Sequence, residues 1–134
     1  MEFKIELGAN KRVNAHLGKF VVETDQSVKE GGDESAPPPY ALFLASIGTC
    51  AGIYVVYFCE ARKIPTDGIE LIQKLDYQQV GKAQKLAKIS LEIRVPPSFP
   101  EKYHKALARA ASSCAVKKTI LDPPEFDVYT VVSE

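Results

Sequence analysis

Strand-like and helical patterns follow each other along the chain. Six segments have the period-two alternation or the β-branched and aromatic composition of strands. They are residues 3–7, 13–17, 19–23, 69–77, 87–95 and 126–132. Turns that contain Gly8, Gly18 or Gly81 separate successive strands, and such short connections favour antiparallel pairing.

The longest stretch without a charged residue or histidine covers residues 35–59. From Pro39 to about Lys63 there is no proline that would interrupt a helix, and apolar residues surround the whole helical wheel. We therefore predict one long helix that is buried on most sides. Pro65 cannot continue the hydrogen-bond ladder, so the helix ends before it.

Two shorter helices are predicted towards the C-terminus. Ser98 and Glu101 have the spacing of a capping box, and a segment of helical composition follows them. Ser112 and Ser113 are predicted to interrupt this helix and to cap a second one, with Cys114 in its first turn. The predicted order of elements is βββ-α-ββ-α(α)-β.

This order is typical of an α+β fold with antiparallel sheets around a long buried central helix. The chain has 134 residues, of which 46% are apolar and 25% are charged. These values are those of an ordinary globular protein with one core. We therefore predict a single domain over residues 1–134.

The charge balance disfavours binding to nucleic acid or to an anionic membrane. Seventeen basic and seventeen acidic residues cancel, so no net positive field attracts a polyanion. The first residues lack the pattern of a signal peptide. Three cysteines without a closely spaced pair indicate free thiols in a reducing compartment. We expect a cytoplasmic protein.

The uncharged helix is long enough to cross a bilayer, which takes about 20 residues. Its glycines and leading prolines, and the amphipathic strands around it, favour a soluble core instead. Small residues also lie on one stripe of the helix and permit close packing; they are Ala41, Ala45, Gly48 and Gly52. One small domain cannot cover every side of so long a helix, so we predict a homodimer.

The three cysteines have different surroundings in the sequence. Cys50 and Cys59 lie on opposite faces of the helix, about 13 Å apart along its axis, and cannot form a disulfide. Cys59 is on the small-residue stripe and is interpreted as a packing residue. Cys50 has an apolar wall beside it, which is compatible with a structural role or with a site for an organic substrate.

Cys114 lies at a predicted helix N-terminus, where backbone N–H groups and the following Lys117 and Lys118 favour a thiolate. Two separated thiols, one on a long helix and one at a helix start, suit the reduction of peroxides. The first thiol becomes a sulfenic acid, and the second condenses with it to a disulfide.

The order of elements and two segments, APPPYALFLASIGTC and SSCAVKKTI, resemble the OsmC/Ohr family of osmotically inducible and organic hydroperoxide resistance proteins. The resemblance covers nearly the whole chain. In that family a proline-led segment opens the central helix that bears the first cysteine, as Pro39 and Cys50 do here. The second cysteine begins a later helix, as Cys114 does.

The resemblance implies an intertwined homodimer with its sites at the subunit interface. It also implies a thiol peroxidase that reduces hydroperoxides, preferably organic ones, with electrons returned by dithiols and without a metal or a flavin. By this analogy Cys50 is the peroxidatic nucleophile and Cys114 the resolving cysteine. Tyr40 stands where the family's peroxidases usually have a glutamate, and Ala115 where they have a proline, which is typical of a divergent OsmC-like member.

The resemblance also calls for an arginine that holds the thiolate and for a substrate pocket. Arg12, between the first strands, is the best candidate, with Lys11 as the second. The apolar pocket beside Cys50 is predicted to include Phe43, Ile47, Tyr40 and Tyr54.

Other functions are compatible with the same pattern. One alternative is a non-enzymatic dimer that binds a small hydrophobic ligand in this pocket and has lost peroxidase activity. Another is a domain with a dimerisation role alone. His16 and His104 do not have the local spacing of a zinc site relative to the cysteines, and we expect neither metal nor cofactor.

Overall fold

The protein is described by a computed structural model that covers residues 1–133. The chain divides into two compact units, Met1–Ser46 and Ile47–Glu134. The mixed α+β architecture with antiparallel sheets is the predicted one.

The first unit contains a three-stranded antiparallel sheet. Its strands are β1 (Lys4–Leu7), β2 (Val13–Leu17) and β3 (Phe20–Thr24), and β2 lies in the centre. Lys4 pairs with His16 and Leu17 pairs with Phe20. Gly18 has a φ of +56° in the turn between β2 and β3, a conformation that glycine adopts without strain.

The loop after β3 is organised by one buried carboxylate. Asp25 is fully buried and accepts hydrogen bonds from the backbone N–H groups of Gln26 (2.8 Å), Asp33 (3.3 Å) and Ser35 (3.0 Å). The Ser35 hydroxyl donates a fourth, at 2.6 Å. Asp25 therefore fixes a loop that has little regular structure of its own.

Helix α1 (Pro39–Ala61) begins at the predicted proline and ends two residues earlier than predicted. Lys63 takes the left-handed conformation, with a φ of +55°, and the N–H of Ile64 donates to the carbonyl of Cys59. Such an ending closes the last turn before Pro65. By length and apolar composition α1 resembles a membrane span, a test that the core helix of a soluble protein also passes.

The chain itself covers only part of α1. Its buried residues are Ile47, Ala51, Val55, Phe58 and Cys59. Large side chains on other faces are exposed, including Tyr40 and Tyr57, each at 56%. A helix predicted to be buried on most sides thus lacks part of its cover, because the chain has too few other elements to surround it.

The second unit contains a long antiparallel hairpin, β4 (Glu70–Val80) and β5 (Ala83–Arg94). Gly81, with a φ of +60°, lies in the two-residue turn between them. Both strands extend further towards this turn than predicted. A register irregularity lies between Asp76 and Tyr77.

Two helices follow, α2 (His104–Ser112) and α3 (Ala115–Leu121). The predicted capping box is wrong, because α2 is preceded by a 3₁₀ turn over Glu101–Tyr103 that has Pro100 at its N-cap. A cap at Ser98 would require helical dihedral angles at Phe99. Helical dihedral angles are disfavoured at a residue that precedes a proline, as Phe99 precedes Pro100.

The hydrophobic core lies in the second unit, where the middle of α1 meets α2. Leu107 is 2% exposed, and apolar residues of β4 and β5 pack around the cluster. The buried members are Ala51, Val55, Phe58, Cys59, Phe99, Leu107 and Ala111.

The predicted closing strand over residues 126–132 is not formed within the described chain. Its apolar side chains are exposed, with Phe126 at 87% and Val128 at 94%. An alternating pattern specifies the two faces of a strand but supplies no neighbouring edge, and no strand within residues 1–133 pairs with this segment.

Candidate functional site

Cys50 and Cys114 come together in the second unit. Cys50 lies in α1, and Cys114 immediately precedes α3. The Cys114 sulfur lies 3.9 Å from the carbonyl oxygen of Ile47, one turn before Cys50 on α1. A side-chain hydrogen bond between Cys114 and Cys50 is one of the causes that lower the pKa of Cys50. Both cysteines are free thiols, so the structure describes the reduced pair.

Cys114 is the N-cap of α3. Its sulfur accepts a hydrogen bond from the backbone N–H of Lys117 at 3.4 Å. We predicted that Ser112 or Ser113 would cap this helix, but the cysteine performs that function itself. Because Cys114 is only 2% exposed, the cap holds its sulfur against α1 and away from solvent.

The surroundings of Cys50 favour its thiolate. The backbone N–H of Val116, the Cys114 thiol and the N–H of Ala115 donate hydrogen bonds that lower the pKa of Cys50, against a smaller opposing effect of burial. Hydrogen bonds to the charged form of an acid stabilise that form. These contacts therefore favour the thiolate of Cys50, which is the nucleophilic form of a cysteine.

An apolar cavity of about 320 Å³ lies beside Cys114. Residues of β5, α2 and α3 form most of its wall, and Ile47 contributes from α1. The lining residues are Ile47, Ile89, Leu91, Ile93, Ala108, Ala111, Ser112, Cys114, Lys117, Ile120 and Leu121. This volume lies within the range of small-molecule sites.

The sequence matches the family model described as OsmC-like protein over residues 31–128. The match covers more than half of the chain and includes both cysteines. The chain belongs to the OsmC-like protein family. No curated protein sequence matches the chain significantly.

Solved structures of low sequence identity have the same fold. A protein of Psychrobacter arcticus, named for an osmotic stress and detoxification response, has a TM-score of 0.70 and 19% identity, over 87% of this chain and 85% of that one. An organic hydroperoxide resistance protein of Legionella pneumophila has a TM-score of 0.59 and 20% identity, over 89% and 87%. One from Elizabethkingia anophelis has a TM-score of 0.59 and 19% identity, over 87% and 84%.

The OsmC-like fold places the predicted pocket residues in different surroundings. Ile47 lines the cavity, but Tyr40, Phe43 and Tyr54 are not among its lining residues. Tyr40 and Phe43 stack on each other in the first unit, with ring centroids 5.9 Å apart. Tyr54 makes an edge contact with Tyr57 on α1.

Arg12 has acidic partners within the first unit. Its guanidinium lies 3.2 Å from the Asp33 carboxylate and donates to the Ser35 hydroxyl at 3.0 Å. The buried Asp25 carboxylate is 4.0 Å away. Arg12 thus helps to hold the loop after β3, and its role towards Cys50 stays a prediction, as does that of Lys11.

Cys59 differs from the other two thiols. It is completely buried in the core, and loss of hydration raises its pKa, with a smaller opposing effect from the positive charge of Arg62. A raised pKa makes a thiol unreactive at neutral pH. The interpretation of Cys59 as a packing residue agrees with this environment.

Sequence reasoning missed the donors that lower the pKa of Cys50. The first-turn N–H groups of the later helix were expected to point at Cys114, and that of Lys117 does donate to its sulfur. Those of Val116 and Ala115 instead donate to Cys50. The predicted position of Cys114 at a helix start was the available signal. The N–H groups of the residues that follow it lie at the same helix end and can donate to any acceptor that packs there. The contribution of β5 to the cavity wall had no signal in the sequence.

Within residues 1–133, no group of three or more histidine, cysteine, aspartate and glutamate side chains is arranged to hold a metal ion.

Proposed function

We propose that this OsmC-like protein is a thiol peroxidase that reduces organic hydroperoxides. The observation that carries the proposal is the contact between Cys50 and Cys114, in which three hydrogen-bond donors favour the Cys50 thiolate. Its family and the hydroperoxide resistance proteins among its structural neighbours support a role in the redox response to stress.

The proposed reaction has two steps. The Cys50 thiolate attacks the terminal oxygen of the hydroperoxide, the O–O bond breaks, and the alkoxide takes a proton and leaves as an alcohol. Cys50 is now a sulfenic acid. The Cys114 sulfur then attacks the Cys50 sulfur and water leaves, which forms a disulfide. A dithiol then supplies two electrons that reduce the disulfide back to the two thiols.

The fixed position of Cys114 favours the second step. Two thiols already in hydrogen-bond contact need little movement to form a disulfide, whose Cα atoms must lie within about 7 Å of each other. Cys114 is held by its own cap and by the wall of α1. A sulfenic acid at Cys50 would thus react with Cys114 before a reductant in solution could reach it.

We also propose that the active protein is a cytoplasmic homodimer. The exposed apolar side chains of α1 and of residues 126–132 support this assembly, because monomeric proteins rarely expose large contiguous apolar surfaces. The unpaired segment 126–132 retains the composition of a strand, and pairing with a second copy would give the intertwined arrangement that the family resemblance implies.

A count of free thiols tests the peroxidase. The reduced protein, with its three cysteines, is treated with one equivalent of cumene hydroperoxide. We expect the loss of two thiols, no loss in Cys50→Ser, and loss of one in Cys114→Ser, where dimedone traps the sulfenic acid. Cys59→Ser is the matched control and still loses two. Unchanged thiols in the parent protein would refute the proposal.

A ligand-binding protein is the second candidate function. The apolar cavity favours it, and the chain has Tyr40 where the family's peroxidases carry a carboxylate. In this case cumene hydroperoxide leaves the thiols intact, while an apolar ligand quenches tyrosine fluorescence to saturation. Cavity substitutions at Leu91 or Ile93 would weaken that quenching, and Cys50→Ser would leave it unchanged.

A further inference from the structure

We propose that a basic surface on α2 and α3 docks on a membrane of anionic lipids. This surface, the basic face, consists of exposed cations and two exposed apolar residues. Its cations are Lys102, Lys105, Arg109, Lys117 and Lys118, and its apolar residues are Ile120 and Leu121. The inference goes beyond the proposed peroxidase, because it concerns where the protein binds and does not depend on the reactivity of either thiol.

The basic face comes from one short part of the chain. Residues 102–121 contain five of the seventeen basic residues and none of the seventeen acidic ones. The balance of charge over the whole chain therefore conceals a local excess of positive charge. Attraction to a charged surface acts over a Debye length, about 10 Å at 0.1 M salt, so the local excess matters more than the net charge. The cytoplasmic leaflet of a membrane carries anionic lipids, which is compatible with a cytoplasmic protein.

The packing of α2 holds its cations outwards. Lys105 and Arg109 are four residues apart and share one side of the helix, with Lys102 a turn before them. Leu107 lies on the opposite side and is 2% exposed in the core. Because the burial of Leu107 fixes the rotation of α2, the three cations face solvent together.

Helix α3 adds its cations to the same surface. Ala108 lines the apolar cavity together with Lys117 and Leu121 of α3. It lies between Lys105 and Arg109 on the exposed side of α2. Residues of both helices thus surround one opening, and the cations of α3 lie beside those of α2.

The cations of the basic face are available to an outside partner. Within residues 1–133, no ion pair joins any of the five to a carboxylate. The ammonium group of Lys102 lies 5.1 Å from the centre of the Tyr103 ring, but a ring carries no net charge that would cancel it. Binding to an anionic surface would therefore not require the face to give up an existing ion pair.

The two apolar residues favour a membrane over a nucleic acid. Ile120 is 43% exposed and Leu121 is 73% exposed, directly after Lys117 and Lys118 in α3. Apolar side chains in this position can enter the boundary between headgroups and acyl chains while the ammonium groups stay among the lipid phosphates. A nucleic acid offers no such apolar layer, and the seven residues of the basic face include no aromatic side chain on which a base could stack.

Sedimentation with vesicles tests the proposal. The reduced full-length protein is mixed with vesicles of phosphatidylglycerol and phosphatidylcholine in equal parts, or of phosphatidylcholine alone. We expect it to sediment with the anionic vesicles only, and to be released at 1 M salt, where the Debye length falls to about 3 Å. Equal binding to both kinds of vesicle, binding that survives this salt, or no binding to the anionic vesicles would overturn the proposal.

Charge reversal tests the location of the docking surface. The variant Lys105→Glu, Arg109→Glu reverses two cations of the basic face. Lys82→Glu, Lys85→Glu is the matched control, because it makes the same change in net charge at exposed positions near the turn of the hairpin. We expect vesicle binding to weaken at least about thirtyfold in the first variant and less than about threefold in the control. Equal losses would show that net charge alone governs binding, which would exclude the basic face as the docking surface.

Replacement of an apolar residue separates a membrane from other polyanions. We expect Leu121→Asn to weaken vesicle binding about tenfold, because a large apolar side chain no longer enters the lipid. Val80→Asn, at a position that is 56% exposed in the hairpin, is the matched control and should bind as the parent does. Double-stranded DNA should compete only weakly with the anionic vesicles. Undiminished binding by Leu121→Asn, or tighter binding to DNA than to vesicles, would exclude a membrane as the partner.

Discussion

At the scale of single residues, the pKa of a thiol in this protein depends on which donors the thiol meets. Cys50 and Cys59 lie on the same helix, yet their pKa values shift in opposite directions. Burial without donors raises the pKa of Cys59, while backbone N–H groups and a second thiol lower that of Cys50. The difference arises from contacts, because both side chains have the same intrinsic chemistry.

Proline substitutions in α3 should separate the two backbone donors of Cys50. Val116→Pro removes the N–H that lowers the pKa most, and Ala115→Pro removes the weaker one. Proline is tolerated at the first helical position, which is residue 115, whereas a proline at 116 also disfavours helical dihedral angles at Ala115, so circular dichroism must first show that the Val116→Pro variant is folded. We expect the pH at which Cys50 becomes half alkylated by iodoacetamide to rise in both variants, and more in Val116→Pro. Peptide mass spectrometry in a Cys59→Ser background measures it. Equal shifts would contradict the assignment.

Asp25 should contribute stability that depends on pH. Hydrogen bonds from the Ser35 hydroxyl and from the N–H groups of Ser35, Gln26 and Asp33 lower its pKa from 3.8 to about 2. A depressed carboxyl pKa gives stability that is present above pH 3.8 and is lost as the pH falls through about 2.

We expect Asp25→Asn to lower the Tm at pH 7, with a difference from the parent that shrinks as the pH falls from about 4 towards 2. Thermal unfolding followed by circular dichroism at several pH values measures it. Asp67→Asn, at an exposed position, is the control and should leave the Tm unchanged. A difference that persists undiminished at pH 2 would show that the ionised carboxylate is not the cause.

At the scale of elements, α2 and the middle of α1 hold the core together. Leu107 projects from α2 into a cluster that includes Val55 and Phe58 of α1. The hairpin β4–β5 covers this cluster from another side through Leu71 and Leu91. Apolar burial of this kind is the main favourable term in folding.

Leu107→Ala should destabilise the protein by about 2–5 kcal/mol, because it removes buried methyl groups and leaves a cavity. Leu107 is 2% exposed, whereas Leu121 on α3 is 73% exposed. Leu121→Ala is therefore the matched control, with an expected change within about 0.5 kcal/mol. Urea unfolding measures both. Similar free energies of unfolding for the two variants would contradict the placement of the core in α2.

At the scale of the whole molecule, large apolar side chains are exposed both on α1 and in the segment 126–132. Tyr40, Phe43 and Tyr57 on α1 are more than 40% exposed, and Val128 and Val132 are each 94% exposed. Apolar surface of this extent commonly marks an interface. The proposed homodimer would cover both regions with the same partner.

The homodimer predicts a solution mass of twice the 14.7 kDa of one chain. Neighbouring N–H groups of a strand point to opposite edges, so the double variant Val128→Pro, Tyr129→Pro removes one donor from either possible ladder. We expect this variant to be monomeric and the matched Val128→Thr, Tyr129→Thr protein to stay dimeric in light scattering. A monomeric parent, or a dimeric proline variant, would refute the pairing of this segment.

Local periodicity made the main elements predictable. The start of α1 at Pro39 and the two antiparallel sheets follow from patterns within about 20 residues. The start of α2 was predicted wrongly because the spacing of Ser98 and Glu101 took no account of the constraint that Pro100 places on Phe99. The segment 126–132 was predicted as a strand from composition, which cannot supply the neighbour that a strand requires.

The sequence by itself determined the family and most of the elements, because these depend on residue types and their local order. Tertiary structure alone decided that Cys114 lies against the helix turn at Ile47, 67 residues away. It also decided that Cys50 receives the donors of α3, while Cys114 lines the cavity. Contacts between distant segments depend on how helices and strands pack, and that packing is a property of the folded chain as a whole.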